Sequence, residues 1–227
     1  MRKRPIVAID GPAASGKSST ARAVASQLGF THFDSGAVYR AMTLLAVEEL
    51  GPPDRWTEEA VVARAADRGL SVHADGGVMH VRVGGADPGE ALRREAVNRE
   101  VSRVAAMPKV RDFVNGLLRA GAALGGIVMD GRDIGTVVFP DAEVKVFMVA
   151  DADQRARRRL LERGEVPDER RIGLEAGALT ARDQWDSSRP VAPLHAAPDA
   201  VHIDTTSLAF DDQVALVVQL ARKASRD

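Results

Sequence analysis

Hydrophobic residues in this chain gather into short runs and helical stripes, never into long tracts. Residues 5–9 read Pro-Ile-Val-Ala-Ile, a continuous apolar run of the kind that a strand buried on both faces of a parallel sheet requires. A glycine-rich turn follows. Residues 18–28 then carry small and apolar side chains at helical spacing, with Gly29 as a C-terminal stop. Further buried strands are predicted at 126–129, ending at Asp130, at 144–149 and at 200–203. Strands separated by helical stretches need crossover connections, which predicts an α/β fold with a doubly wound parallel sheet.

The middle of the chain has a different period. Residues 70–74 and 78–83 alternate apolar and polar positions around Asp75-Gly76-Gly77, a hairpin signal on a half-exposed sheet. Helical segments at 38–50, 58–67 and 93–105 flank what reads as a small β insertion. Beyond the strand at 144–149, residues 153–163 form an arginine-rich helix, and 164–171 is polar with one proline, a candidate mobile lid. No repeat or low-complexity tract divides the 227 residues, so a single domain is expected.

Composition narrows the chemistry. Lys+Arg of 31 against Asp+Glu of 32 leaves a formal charge of -1, too balanced for a general nucleic-acid or membrane binder, so any anion site is local. Cysteine is absent, which excludes disulfide scaffolds, thiolate nucleophiles and Cys-rich zinc sites and favours the cytoplasm. The apolar runs fall far short of the roughly 20 residues a spanning helix needs. Met1-Arg2-Lys3-Arg4 opens like a secretory leader, but Asp10 interrupts the apolar segment after Ile9, so a strand is expected there. Of the 31 basic residues 26 are arginines, a bias that fits phosphate handling but is read here as genomic.

One motif carries specific chemistry. Gly11-Pro12-Ala13-Ala14-Ser15-Gly16-Lys17-Ser18 matches G-x-x-x-x-G-K-[ST] between a predicted strand and a predicted helix. Glycines let successive N–H groups turn inward onto phosphate oxygens, and the helix after them adds the positive end of its dipole. Lys17 is expected on the terminal phosphates and the Ser18 hydroxyl on Mg²⁺, with Asp34 or Asp130 completing the metal site directly or through water. Ser19 extends the set. A nucleoside triphosphate with Mg²⁺ is thus implied, and no more: GTPases, ATPase motors and small-molecule kinases share the motif.

Three polar clusters point to what sits opposite. Asp34-Ser35-Gly36-Ala37-Val38-Tyr39-Arg40 lies just beyond the first helix, where the second strand of a doubly wound sheet ends beside the cradle. Asp130-Gly131-Arg132-Asp133-Ile134-Gly135 follows another buried strand to the same edge. Arg182-Asp183-Gln184-Trp185-Asp186-Ser187-Ser188-Arg189 follows the lid candidate.

With Met107-Pro108-Lys109-Val110-Arg111 and the run through Pro140, these motifs make the chain similar to the bacterial cytidylate kinases, P-loop nucleoside monophosphate kinases, over nearly its whole length. The resemblance implies phosphoryl transfer from ATP to CMP, with dCMP also accepted. It implies a core of about 1–40, 126–150 and 198–227, a monophosphate-binding insert of about 41–125 and a lid of about 151–190. By the same resemblance Ser35, Arg182 and Asp186 hold the ribose, Arg40, Arg132 and Arg189 the acceptor phosphate, and Ser102, Arg111 and Asp133 the cytosine. Arg155 and Arg159 match the lid arginines that similar kinases place against adenine and the donor phosphates; four residues apart, they share a helix face. Lys17, Arg132, Arg182 and Arg189 are expected to stabilise the transferring phosphoryl group. A monomer is expected, with no nucleic-acid partner.

The same residues admit plainer readings. Arg157, Arg158 and Arg163 are as readily a coating of the helix, the five histidines lack paired metal spacing and read as structural, and Trp56 and Trp185 are left without a role. Two rivals stand beside the kinase of cytidylate. A kinase of another small substrate has no reason to assemble Ser102, Arg111 and Asp133. A nucleotide-gated switch should carry a GTP-type Asn-Lys-x-Asp run, which the sequence lacks.

Overall fold

The computed structural model describes residues 4–122 and 125–225. Its centre is a seven-stranded sheet built from β1 (Ile6–Asp10), β2 (Thr31–Asp34), β3 (Ser71–Asp75), β4 (Val78–Arg82), β5 (Ile127–Gly131), β6 (Val144–Val149) and β7 (Val201–Asp204), in the order β3-β4-β2-β5-β1-β6-β7. The pairs β2–β5, β5–β1, β1–β6 and β6–β7 are parallel. The β1 run is buried on both faces, which its uninterrupted apolar sequence demands. Ile6 and Ala8 join one core with Phe33, Met129 and the helices α2 (Ser35–Glu49), α3 (Glu58–Asp67), α4 (Glu95–Ala105) and α5 (Pro108–Gly121). Val7 and Ile9 join the other, against α1 (Lys17–Leu28) and α8 (Phe210–Ala224).

The predicted hairpin forms, but not as a separate sheet. β3 and β4 pair antiparallel, and β4 meets β2 at a single parallel bridge, His32 with Val78, so the insertion extends the main sheet at its edge. Helix α2 begins at Ser35, three residues before the expected start, so Asp34 and Ser35 form the helix entry directly at the end of β2. Three helices were not anticipated: α5, α7 (Glu169–Ser188) and α8.

The expected arginine-rich helix is α6 (Ala152–Glu162), capped by Asp151, whose carboxylate accepts from the N–H groups of Asp153 and Gln154. Asp168 caps α7 in the same way, accepting from Arg171 N–H at 2.8 Å. The polar stretch at 164–171 is therefore the turn and first residues of a helical hairpin. This α6–α7 hairpin has its own small core of Ala156, Leu160, Ile172, Ala176 and Leu179, which also takes in Ala13 of the glycine-rich loop. Among the described residues no helix is long and apolar enough to cross a membrane.

Candidate active site

The glycine-rich loop leaves the end of β1 at the centre of the sheet, where both flanking strands are parallel. Gly11, at φ 147, passes so close to β6 that a Cβ would lie 2.0 Å from the Met148 carbonyl oxygen. Only glycine fits. Ala14 (φ 58) and Gly16 (φ 89) take left-handed conformations, and this alternation turns the loop's amides inward ahead of α1. Lys17 folds back over the loop, its Nζ donating to Pro12 O at 2.5 Å and to Ser15 Oγ at 3.4 Å. Burial and then the field of Arg132 pull its ammonium down from 10.5 to about 7, against the attraction of Asp130 and Asp10. A phosphate chain would reverse that balance.

Asp10 closes the floor of the site. Its carboxylate accepts from the N–H groups of Ile134 at 2.8 Å and Gly135 at 2.7 Å, which pins the turn after β5. Burial nonetheless pushes it up to about 6, with Asp133 adding repulsion. That turn is a single π-helical one over Ile134–Val138, in which Val138 N–H reaches the Asp133 carbonyl.

On the other side of the loop, Ser18 Oγ donates to Asp130 Oδ2 at 2.5 Å. Asp34 is the register partner of Asp130 across β2 and β5, and burial followed by Asp130's charge raises its pKa. The two carboxylates left open by the sequence are thus neighbours, with Asp130 the one that touches Ser18. Ser35 Oγ donates to the Asp130 carbonyl at 2.7 Å.

Facing the loop stands a crowd of guanidinium groups from four elements. Arg132 Nε donates to Asp186 Oδ2 at 3.1 Å. Arg40 is aimed by Asn98, whose Oδ1 lies 2.5 Å from Nη1, and by Leu92 O at 3.2 Å. Arg182 from α7 is brought down to about 10, first by burial, then by the repulsion of Arg132, with Arg40 and Arg159 adding to it against the attraction of Asp186; among the described residues its Nε has no hydrogen-bond partner. A second group assembles deeper. Arg111 pairs with Asp133, Arg189 Nη2 lies 3.7 Å from the other oxygen of Asp133, and the Arg111 guanidinium sits 5.4 Å from the centre of the Tyr39 ring. Burial followed by the field of Arg111 lowers Arg189 as well.

Other expected residues stand apart from these clusters. Ser102 is half-buried on α4, and among the described residues no hydrogen bond joins it to Arg111 or Asp133. Arg155 turns toward the loop backbone: Nη1 donates to Ala13 O at 3.1 Å and to Asp183 Oδ2 at 2.5 Å, while Asp183 Oδ1 accepts from Ala13 N at 3.3 Å. Arg159 Nε pairs with Glu175 at 2.9 Å. Pro12 is half-buried in the loop, and Ser19 is exposed in the first turn of α1.

Two residues with clear positions were missed in the sequence. Asp183 clamps Ala13, and Arg158, read as a coating, donates to Thr205 O at 2.5 Å, while Thr205 Oγ1 donates to Ser15 O at 3.0 Å. Asp183 had a signal, since it directly follows Arg182 in the quoted motif; Arg158 had none beyond its helix. Trp56 is buried with Nε1 donating to Gly51 O at 3.0 Å, and Trp185 is exposed.

A mainly parallel sheet with helices on both faces, a glycine-rich loop at the end of its central strand and a lysine at the head of the following helix define an α/β P-loop NTPase fold, here with a second cluster of arginines beside the cradle. A family model described as cytidylate kinase matches residues 7–223. The chain is 43% identical to the cytidylate kinase of Pelodictyon phaeoclathratiforme, covering 97% of this chain and 96% of that protein. It is 42% identical to the cytidylate kinase of Geobacillus thermodenitrificans, over 98% and 99%. A solved structure of an uncharacterized protein from Eubacterium ventriosum shares the fold at 11% identity, with a TM-score of 0.53 over 96% of this chain and 99% of that one. The chain belongs to the cytidylate kinase family.

Proposed function

We propose that this chain transfers the terminal phosphoryl group of ATP to CMP, and to dCMP, giving ADP and the cytidine diphosphate. The observation that carries the reading is the cluster of Arg40, Arg132 and Arg182 beside Lys17: Asp186 pairs with Arg132, but burial and neighbouring guanidinium charge lower Arg40 and Arg182, and among the described residues Arg182 Nε has no hydrogen-bond partner. Such a cluster is costly unless a polyanion enters it.

The acceptor oxygen belongs to a phosphate whose second pKa is about 6, so it arrives ionised and no strong general base is needed. Charge is the barrier. Lys17 and the guanidinium groups of Arg132, Arg182 and Arg189 neutralise the two polyanions and hold the equatorial oxygens during in-line transfer. Arg40, Arg132 and Arg189 take the acceptor phosphate, Ser35, Arg182 and Asp186 the ribose, and Ser102, Arg111 and Asp133 the base. The backbone N–H groups of Gly11 and of Ala13 through Ser19 take the donor phosphates, with Pro12, which has no N–H, shaping the loop between them. Arg159 faces the donor side from α6, and Arg155 acts there through Ala13, whose carbonyl it fixes.

Ser18 hydroxyl and Asp130 carboxylate are hard oxygen donors brought within 2.5 Å, a set that suits Mg²⁺, with Asp34 alongside. Bound with ATP, the ion would supply charge neutralisation between the phosphates. In this reading residues 41–125 receive the monophosphate and 151–190 close over both nucleotides, excluding water that would otherwise hydrolyse ATP.

Cytosine presents an N4 donor beside N3 and O2 acceptors. Each carboxylate oxygen of Asp133 retains a lone pair beyond its guanidinium partner, which leaves an acceptor for N4–H. The direct test is ADP release by purified protein with Mg·ATP against CMP, dCMP, UMP and AMP. CMP and dCMP should stand out; equal rates with all four, or release without any acceptor, would refute the assignment.

A further inference from the structure

His32 has no part in the chemistry above and reads from sequence as a structural histidine. Its position says more. In the β2–β5 ladder His32 pairs with Val128 and Asp34 with Asp130, so these four side chains share the face of the sheet on which α1 and Ser18 pack. Val128 is core there. His32 is 2% exposed and Asp130 3%, and His32 Nε2 lies 2.8 Å from Asp130 Oδ1. The other oxygen, Oδ2, is the one 2.5 Å from Ser18 Oγ.

We propose that His32 is a positioning residue for the donor site: it holds one oxygen of Asp130 so that the other is aimed at Ser18 and the metal side of the cradle. The inference rests on the reading of Ser18 and Asp130 as that metal side. An ionised carboxylate only accepts hydrogen bonds, so Nε2 must be the donor, and it carries a proton in both the imidazolium and the matching neutral tautomer. The arrangement therefore does not depend on the charge of His32.

Two consequences follow from removing the donor. A buried carboxylate oxygen left without a partner is costly, and Asp130 would then turn about its last side-chain bond to find one. Asp130 is the carboxylate whose charge acts most strongly on Lys17. A rotated Asp130 would draw on Lys17 and leave Ser18 as a lone hydroxyl, weakening the metal-dependent part of ATP binding. Partners that orient metal-binding carboxylates typically contribute 10–100-fold to metal affinity. Among the described residues no hydrogen bond joins His32 to the acceptor cluster around Arg40 and Arg182, so acceptor binding should be insensitive to its loss.

The experiment compares the affinity for ATP with Mg²⁺ and in excess EDTA, by calorimetry, for the wild type, His32→Leu, His32→Asn and His32→Gln. Gln places an amide nitrogen where Nε2 stands; Asn reaches only to the position of Nδ1. Metal-free ATP affinity within twofold of wild type reports an intact cradle for each variant. The proposal expects the Mg²⁺-dependent gain to fall about tenfold or more in His32→Leu and His32→Asn and to be largely restored in His32→Gln, with KM for CMP unchanged. Should Leu destabilise the fold, the Asn and Gln pair carries the same comparison. A full Mg²⁺-dependent gain in His32→Asn, or equal losses in Asn and Gln, overturns the proposal. A wild type whose ATP affinity ignores Mg²⁺ overturns the reading of Ser18 and Asp130, and the proposal with it.

Discussion

Lys17 provides the sharpest test of the electrostatics. Before nucleotide arrives, burial and Arg132 hold its amine at about 7 instead of 10.5. A shift of that size corresponds to about 5 kcal/mol of differential interaction between the charged and neutral forms. A triphosphate in the cradle should restore the ammonium, so ATP binding must take up the missing proton. At pH 8 about 0.9 proton per ATP is expected, at pH 7 about 0.5 and at pH 6 about 0.1. The sign is set by the depressed value: above it the free protein's lysine is neutral, and uptake grows with pH. Asp10, at about 6, and the phosphates are already ionised at pH 8 and do not obscure the count. Calorimetry in two buffers of different ionisation enthalpy reads the number directly. Uptake below about 0.2 at pH 8 would refute a neutral Lys17 in the free protein.

Other substitutions probe separate parts of the site. Gly11→Ala should abolish ATP binding and cost at least about 3 kcal/mol of stability, seen as a lower midpoint in thermal unfolding, because its Cβ meets the Met148 carbonyl at 2.0 Å. Asp133→Asn should narrow the preference for CMP over UMP in a competition assay, since the carboxylate accepts from the N4–H of cytosine but would meet a second acceptor in the O4 of uracil; unchanged selectivity would reject that role. Arg189→Ala should lower turnover on the order of 10²-fold, and a rate within about threefold of wild type would remove it from the site. Asp183→Ala leaves buried Arg155 with only the Ala13 carbonyl and should raise KM for ATP more than KM for CMP in steady-state assays.

What could be read from the residues alone depended on how local the constraint was. The loop between β1 and α1 was legible because a doubly buried strand, fixed glycines and a helix start all fall within a few neighbours. Helix α5 carried usable signs, Pro108 at its first position and Val110, Val114 and Leu118 at four-residue spacing, yet it was read only as a motif. Helix α7 had no clean stripe: Gly173 and Gly177 interrupt it, and Leu174 faces solvent at 67% exposure. Its core partners lie on α6, so its pattern makes sense only once the hairpin has folded. The same holds for the clamp of Arg155 and Asp183 on Ala13, which joins residues 142 and 170 positions apart from the loop. The roles of Asp34 and Asp130 were undecidable in sequence because both end buried strands; register and the reach of Ser18 separate them.

The join between β2 and β4 sets how the region beyond it can behave. A strand zipped along its whole length would make the outer sheet a rigid continuation of the inner one. Here one rung, His32 with Val78, and the His32 amide donating to Gly77 O at 2.9 Å, tie the hairpin to its neighbour. With so few backbone bonds at the joint, the outer strands are held to the five parallel ones chiefly through the core that both share with α2, α3, α4 and α5.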